Sequence, residues 1–118
     1  MSAWLTEHAR DDYVYVTTRG RRTGKPHTIE IWFGTDGGAL YLLSGGGDRS
    51  DWVRNLLADP VVDIRLAGET RPGRARVVTD HDEERRARRL LAAKYQGWKE
   101  PEPMSEWAAT ALVVAIDD

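Results

Sequence analysis

The amino-acid sequence predicts a mostly β, α+β chain: a small barrel of about six mainly antiparallel strands with two or three helices, folded as one domain over residues 1–118. Three observations predict it. Short runs of alternating apolar and polar residues recur between Gly-rich or Asp-Gly turns. No strand-helix-strand alternation runs through the chain, which argues against a doubly wound parallel sheet. At 118 residues the chain supports one modest core, and a domain of this size gains by dimerising.

The elements follow in order. "WLTEHARDD" (4–12) has helical spacing, after which the period changes to two. "YVYVTT" (13–18) and "HTIEIWFG" (27–34) are strands flanking a cationic stretch, with Ile29, Ile31 and Phe33 on one face of the second. Asp36 and two glycines supply hairpin chemistry before a third strand, "ALYLLS" (39–44), so the first half reads as an antiparallel meander. "DWVRNLLA" (51–58) is a short helix with Ser50 or Asp51 as N-cap, stopped by Pro60. "VVDIRL" (61–66) alternates, and "ETRPG" is expected to turn the chain into "RARVVT" (74–79). Asp80 followed by Glu83 matches a helix-capping pattern, opening a basic helix that runs to about Gln96 with Leu90 and Leu91 inward. "TALVVAI" (110–116) is apolar without alternation, as in a strand covered on both faces.

Composition excludes several functions. With 17 Lys and Arg against 19 Asp and Glu, the formal net charge is -2, so general attraction to nucleic acid or anionic membrane is not expected. The absence of cysteine removes disulfides, thiol catalysis and thiolate metal sites. His8 and His81 have no partner at metal-ligand spacing, and no metal site is expected. No apolar run is long enough to span a bilayer and no signal pattern opens the chain, so a soluble, cytoplasmic protein is expected.

Anion chemistry must therefore be local. "RGRRTGKPH" (19–27) places four cations around Gly20 and Gly24 at a strand turn, which suits either a phosphate or carboxylate, or a solvated basic hairpin. "SGGGDRSDW" (44–52) leads from a strand into a helix, so Ser44, the amides of Gly45 to Gly47 and the helix N-terminus offer a second anion cradle. Together the two loops point to an extended anionic ligand. In "DEERRARRLL" (82–91) the acids precede the arginines, the order that satisfies the helix dipole, and the run reads as a solvated face. The five tryptophans suit core and dimer packing or a pocket for planar rings.

The joint occurrence of "TTRGRRTGKP", the "DGG" hairpin, the "SGGG" loop and "WVRNLLADP" resembles the deazaflavin-dependent nitroreductases, also called F420H2-dependent quinone reductases, of the split β-barrel flavin-binding superfamily. The likeness is strongest over residues 13 to about 66. It implies a homodimeric split barrel that binds F420 and passes a hydride to a quinone, enone or nitro-type acceptor. It further implies phosphate and tail contacts at Arg21, Arg22, Thr23, Gly24 and Lys25, and ring contacts along His27, Thr28, Ile29 and on to Trp32. Ser44, Gly45 and Gly46 match the family's glycine loop, and Trp52 and Asn55 match the helix over the phosphate. Tyr95 and Trp98 fall where related enzymes line the substrate pocket, and Tyr95 is either a catalytic proton donor or an amphipathic residue at a helix end. His27 stands where relatives commonly carry arginine, and Gly45 where some carry lysine. FMN, which needs fewer cations, is thus the alternative cofactor, and the alternative functions are an FMN-binding oxidase or reductase of the same superfamily, or a non-catalytic flavin-binding carrier.

Overall fold

A computed structural model describes residues 2–118. Seven strands form one antiparallel sheet: β1 (Val14–Arg19), β2 (Pro26–Ile31), β3 (Gly34–Thr35), β4 (Leu40–Ser44), β5 (Val61–Leu66), β6 (Glu69–Val77) and β7 (Leu112–Asp117). Four helices accompany it: α1 (Ala3–Glu7), α2 (Asp51–Ala58), α3 (His81–Gln96) and α4 (Glu106–Thr110), with a 3-10 turn at Gly47–Arg49. The strand order is β2-β1-β5-β6-β7-β4-β3. Its two ends, β2 and β3, are consecutive in the chain and separated only by Trp32 and Phe33. A sheet whose outer strands are two residues apart must curl on itself, and the result is a half-barrel.

The alternation seen in sequence fills that barrel. Val14 and Val16, Leu40 and Leu42, Val62, Ile64 and Leu66, and Val114 and Ile116 all face one interior cluster, closed by Trp4, Leu5, Phe33 and Leu56. A second cluster lies outside the barrel, where Ala87 and Leu91 of α3 cover Tyr41, Leu43, Val113 and Ala115. Strands β4 and β7 are therefore buried on both faces, which explains their unbroken apolar runs.

Four expectations are corrected. There are seven strands and four α-helices, because the run 27–34 breaks at Trp32 and Phe33 and a short helix precedes β7. The first three runs are not a meander: β4 leaves β2 and pairs with β7 instead, Leu42 opposite Val114. "ETRPG" is strand, and the turn falls earlier, at Ala67 and Gly68, both with positive φ. Pro72 is tolerated there because β6 pairs with β5 from Glu69 to Arg74 but with β7 only from Arg74 on, leaving the proline on a free edge. The N-terminal helix is shorter than expected, ending at Glu7.

Local signals hold at α3. The Asp80 carboxylate accepts from the Glu83 amide at 2.8 Å, and Gly97, at φ 63°, closes the other end. Glu83 does not return the cap. Its carboxylate accepts from Arg76 at 2.7 Å through both oxygens and from the Tyr41 hydroxyl at 2.8 Å. The Arg76 bonds hold the Glu83 carboxyl at about 2, well below its ordinary range.

Candidate functional site

The β1–β2 hairpin is closed by a tight loop. The Gly20 amide donates to the Lys25 carbonyl and the Gly24 amide to the Gly20 carbonyl, each at 2.8 Å. Gly24 has φ 73°, a conformation that disfavours a side chain and fits glycine. Helix α2 buries Val53, Asn55 and Leu56, and Asn55 meets this loop at Arg21. Between them lies a cleft of about 670 Å³, walled by Arg21, Arg22 and Thr23 of the loop, His27, Thr28 and Ile29 of β2, and Trp52 and Asn55 of α2.

Asn55 organises the cleft. Buried at 4% exposure, it accepts through Oδ1 from the Arg21 backbone amide at 3.2 Å and from Arg21 Nη1 at 2.8 Å. Its Nδ2 donates to the buried Thr18 hydroxyl at 3.3 Å. Asp51 holds the far edge of the same guanidinium at 3.3 Å. Arg21 is thus fixed in direction, while Arg22, Lys25 and His27 form no ion pair among the described residues. A cleft with one oriented guanidinium and further cations has the donor chemistry of an anion site.

Two further cavities follow along the same strand. Glu30, Ile31 and Trp32 border a groove of about 410 Å³ with Tyr13, Gln96 and Trp107. There Trp32 stacks on Tyr95 with ring centroids 4.4 Å apart and planes 4° from parallel, and meets Trp107 edge-on at 5.5 Å. Beyond the break, Gly34 and Thr35 border the largest described cavity, about 880 Å³, between the α1–β1 loop and α3. One run of ten residues, about 30 Å at strand rise, therefore connects a cationic cleft, an aromatic groove and a large cavity.

The break itself is held from α3. Phe33 is fully buried and belongs to neither β2 nor β3. The Tyr95 hydroxyl accepts from the Phe33 amide at 3.0 Å and lies within hydrogen-bond reach of the Asp12 and Phe33 carbonyls, at 2.8 and 3.1 Å. Lys94 Nζ donates to the Phe33 carbonyl at 3.0 Å and sits 3.7 Å from the centre of the Phe33 ring. Burial pushes the Lys94 amine down to about 8 against the opposing pull of Asp11 and Asp12, and pushes the Tyr95 hydroxyl up to about 12.

The structure gathers Arg21, Arg22, Thr23, His27, Thr28, Ile29, Trp52 and Asn55 into one cleft, and places Trp32 in the adjoining groove. Gly24 and Lys25 sit at the hairpin tip, outside the cleft wall. Ser44 and Gly45 border a different cavity with Arg88 and Thr110. The buried Ser44 hydroxyl donates to the Gly47 carbonyl at 2.9 Å and lies 3.0 Å from the Ser50 hydroxyl, and Gly46 packs against Ser50. Tyr95 and Trp98 border the largest cavity, with the Trp98 indole donating to the Glu102 carbonyl at 2.7 Å. Sequence reasoning missed Thr18 and Asp51, the partners of the Asn55–Arg21 unit, and Lys94. Only the adjacency of Lys94 to Tyr95 offered a signal for the last.

Among the described residues no helix is long and apolar enough to cross a membrane, and no cluster of His, Asp and Glu has the makings of a metal site. The family of F420H(2)-dependent quinone reductases matches residues 5–114, and the chain belongs to it. Solved structures share the fold. An F420-H2 dependent reductase is similar at 22% identity over 92% of this chain and 95% of its own, with a TM-score of 0.67. A structure described as a domain-swapped dimer is similar at 22% identity over 92% and 81%, with a TM-score of 0.69. A heme storage protein from Vibrio cholerae is similar at 14% identity over 99% and 90%, with a TM-score of 0.68.

Proposed function

We propose that this member of the F420H(2)-dependent quinone reductase family is a cytoplasmic, homodimeric F420H2-dependent reductase of a quinone, enone or nitro-type acceptor. The observation that supports it best is the linear order of sites along residues 26–35: oriented cation, aromatic groove, cavity. F420 joins a flat ring to a phosphodiester and an oligoglutamate tail: the cationic cleft suits the phosphodiester, the adjoining aromatic groove suits the ring, and the cavity beyond is open to an acceptor. Arg21, Arg22 and the Thr23 hydroxyl hold the phosphate, with Lys25 at the hairpin tip reaching the glutamates. The backbone from His27 to Trp32 forms the ring's floor, and Trp52 and Asn55 close the phosphate side.

When bound, reduced F420 supplies the hydride, and the chain supplies position and exclusion of water. Trp32, stacked on Tyr95 and braced by Trp107, fixes one wall of the ring site. Tyr95 is assigned to positioning. Its hydroxyl is engaged with backbone at Phe33 and Asp12, so delivering its proton to an acceptor first breaks that bond. The homodimer is supported by the similar structure described as a domain-swapped dimer.

One feature favours FMN as a second reading. Arg21 is already paired with Asp51, His27 is an imidazole and Gly45 has no side chain, so fewer cations are free for an oligoglutamate tail, whereas the single phosphate of FMN requires fewer. Fluorescence titration of the purified protein with F420 and with FMN, at low and moderate salt, separates the two. Micromolar or tighter F420 binding that weakens with salt, with weaker FMN binding, is expected. Preference for FMN refutes the coenzyme assignment, and F420 binding with no acceptor turned over makes the chain a carrier.

A further inference from the structure

The cavity between the α1–β1 loop and α3 has a charge unlike that of the whole molecule. The chain carries a formal net charge of -2, yet five cations line this cavity, Arg10, Arg85, Arg86, Arg89 and Lys94, against the two carboxylates Asp12 and Asp82. Arg85 and Arg89 are one helical turn apart and so project from one side of α3. Arg86 is paired with Asp36 at 2.9 Å, but Arg10, Arg85 and Arg89 are not neutralised by partners of their own. Among the described residues Arg10 and Arg85 make no ion pair, and Arg89 pairs only with Glu100 at 2.6 Å, both side chains about half exposed. Exposed pairs of that kind are weak and exchange readily for a better anion. Lys94 adds a half-buried ammonium at the end of the cavity that meets the strand break.

The rest of the lining is apolar or small. Leu90, Ala93, Trp98, Ala9 and the Gly34 backbone supply a surface for a hydrocarbon or aromatic body. At about 880 Å³ the cavity is of the size that encloses a whole small ligand, and few convergent charges over an apolar floor is how such sites set orientation. The α3 run reads in sequence as a solvated basic face. The fold gives that face an opposite wall.

We propose that this cavity binds a small molecule with an apolar body and a carboxylate, the carboxylate held by Arg85 and Arg89, and that this molecule is the hydride acceptor. The acceptor role rests on the reductase reading above; the binding does not. A carboxylate suits paired guanidinium groups because its two oxygens accept two parallel N–H bonds. For a quinone body the reduction takes up two electrons and two protons, one proton and both electrons as hydride from the reduced coenzyme and the second proton from water, and leaves the carboxylate unchanged.

The test compares acid with neutral isostere. Binding of 2-naphthoate and of 2-naphthamide is measured by calorimetry on the native protein and on the Arg85→Gln, Arg89→Gln double variant, with the unfolding midpoint of each measured alongside as the control for folding. The acid is expected to bind about tenfold more tightly than the amide, and the double variant to bring the two within about twofold while leaving the amide unchanged. Equal binding of acid and amide by the native protein, or a preference that survives in the double variant, overturns the proposal. Reduction is then measured with F420H2 and a naphthoquinone bearing a carboxylate side chain, beside its neutral amide. A higher kcat/KM for the acid, lost in the double variant, supports the acceptor role, and equal values overturn it. If naphthoate binds as expected and neither quinone is reduced, the reductase reading fails while the anion site stands.

Discussion

Replacing Asn55 with alanine breaks the one unit that joins α2, β1 and the cationic loop, and its cost can be worked from the bonds lost. The charged Arg21 Nη1 bond at 2.8 Å is worth about 1.5 kcal/mol, and the two neutral bonds, to the Arg21 amide and the Thr18 hydroxyl, about 0.5 to 1 kcal/mol each. Asn55→Ala should therefore cost about 3 kcal/mol. Arg21→Ala removes the charged bond and a weak exposed pair to Asp51 but keeps the backbone bond, so its cost is about 1.5 kcal/mol. The double variant loses the shared bond once and should cost about 3 kcal/mol, not 4.5, a coupling of about 1.5 kcal/mol. Urea unfolding followed by circular dichroism reads this directly. With a slope of about 1.5 kcal/mol per molar, the midpoints fall by about 2 M for Asn55→Ala, 1 M for Arg21→Ala and 2 M for the pair. Additive losses within about 0.5 kcal/mol would refute the claim that Asn55 orients the Arg21 guanidinium.

Two other expectations concern the frame around the site. The Glu83 carboxyl is held at about 2 by Arg76, below its unfolded value near 4.5, so its contribution is complete above pH 4.5 and disappears as pH falls toward 2. Glu83→Gln should lower the thermal midpoint at neutral pH and flatten its fall through that acid window; parallel curves for native and variant would remove Glu83 from the acid response. At Gly34, a Cβ would stand 3.0 Å from the Leu91 side chain and 3.1 Å from that of Leu90. Gly34→Ala should destabilise by about 1 to 3 kcal/mol in denaturant unfolding, and an unchanged midpoint would show that α3 does not bear on β3 at close range.

What was legible in the sequence was local. The barrel interior follows from period-two alternation, because each strand needs only its own residues to decide which side is apolar. The Asp80 cap lies three residues from the amide it satisfies. Partner choice is different in kind: alternation assigns Leu42 a face but not Val114 as its neighbour, 72 positions on. The same holds at the site. The residue types of the cleft wall are readable, whereas the bond from Asn55 to Arg21 spans 34 positions, and nothing local shows that one acid-amide pair fixes one cation. The arginines of α3 share a face by helical spacing, yet only the α1–β1 loop makes that face a cavity wall.

The break at Trp32 and Phe33 shows why these distant pieces act together. A strand that serves both outer edges of a curled sheet must leave one ladder before entering the other, and Phe33 falls in the gap. Its amide and carbonyl are then buried without ladder partners, a cost that the fold has to meet from elsewhere. Tyr95 and Lys94 meet it from the last turns of α3, and Tyr95 also reaches Asp12 ahead of β1. The side chain that satisfies the break on one side carries, on its ring, the stack with Trp32 on the other. Tyr95 therefore belongs at once to the wall of the cavity of about 880 Å³ and, through its ring, to the aromatic stack of the groove.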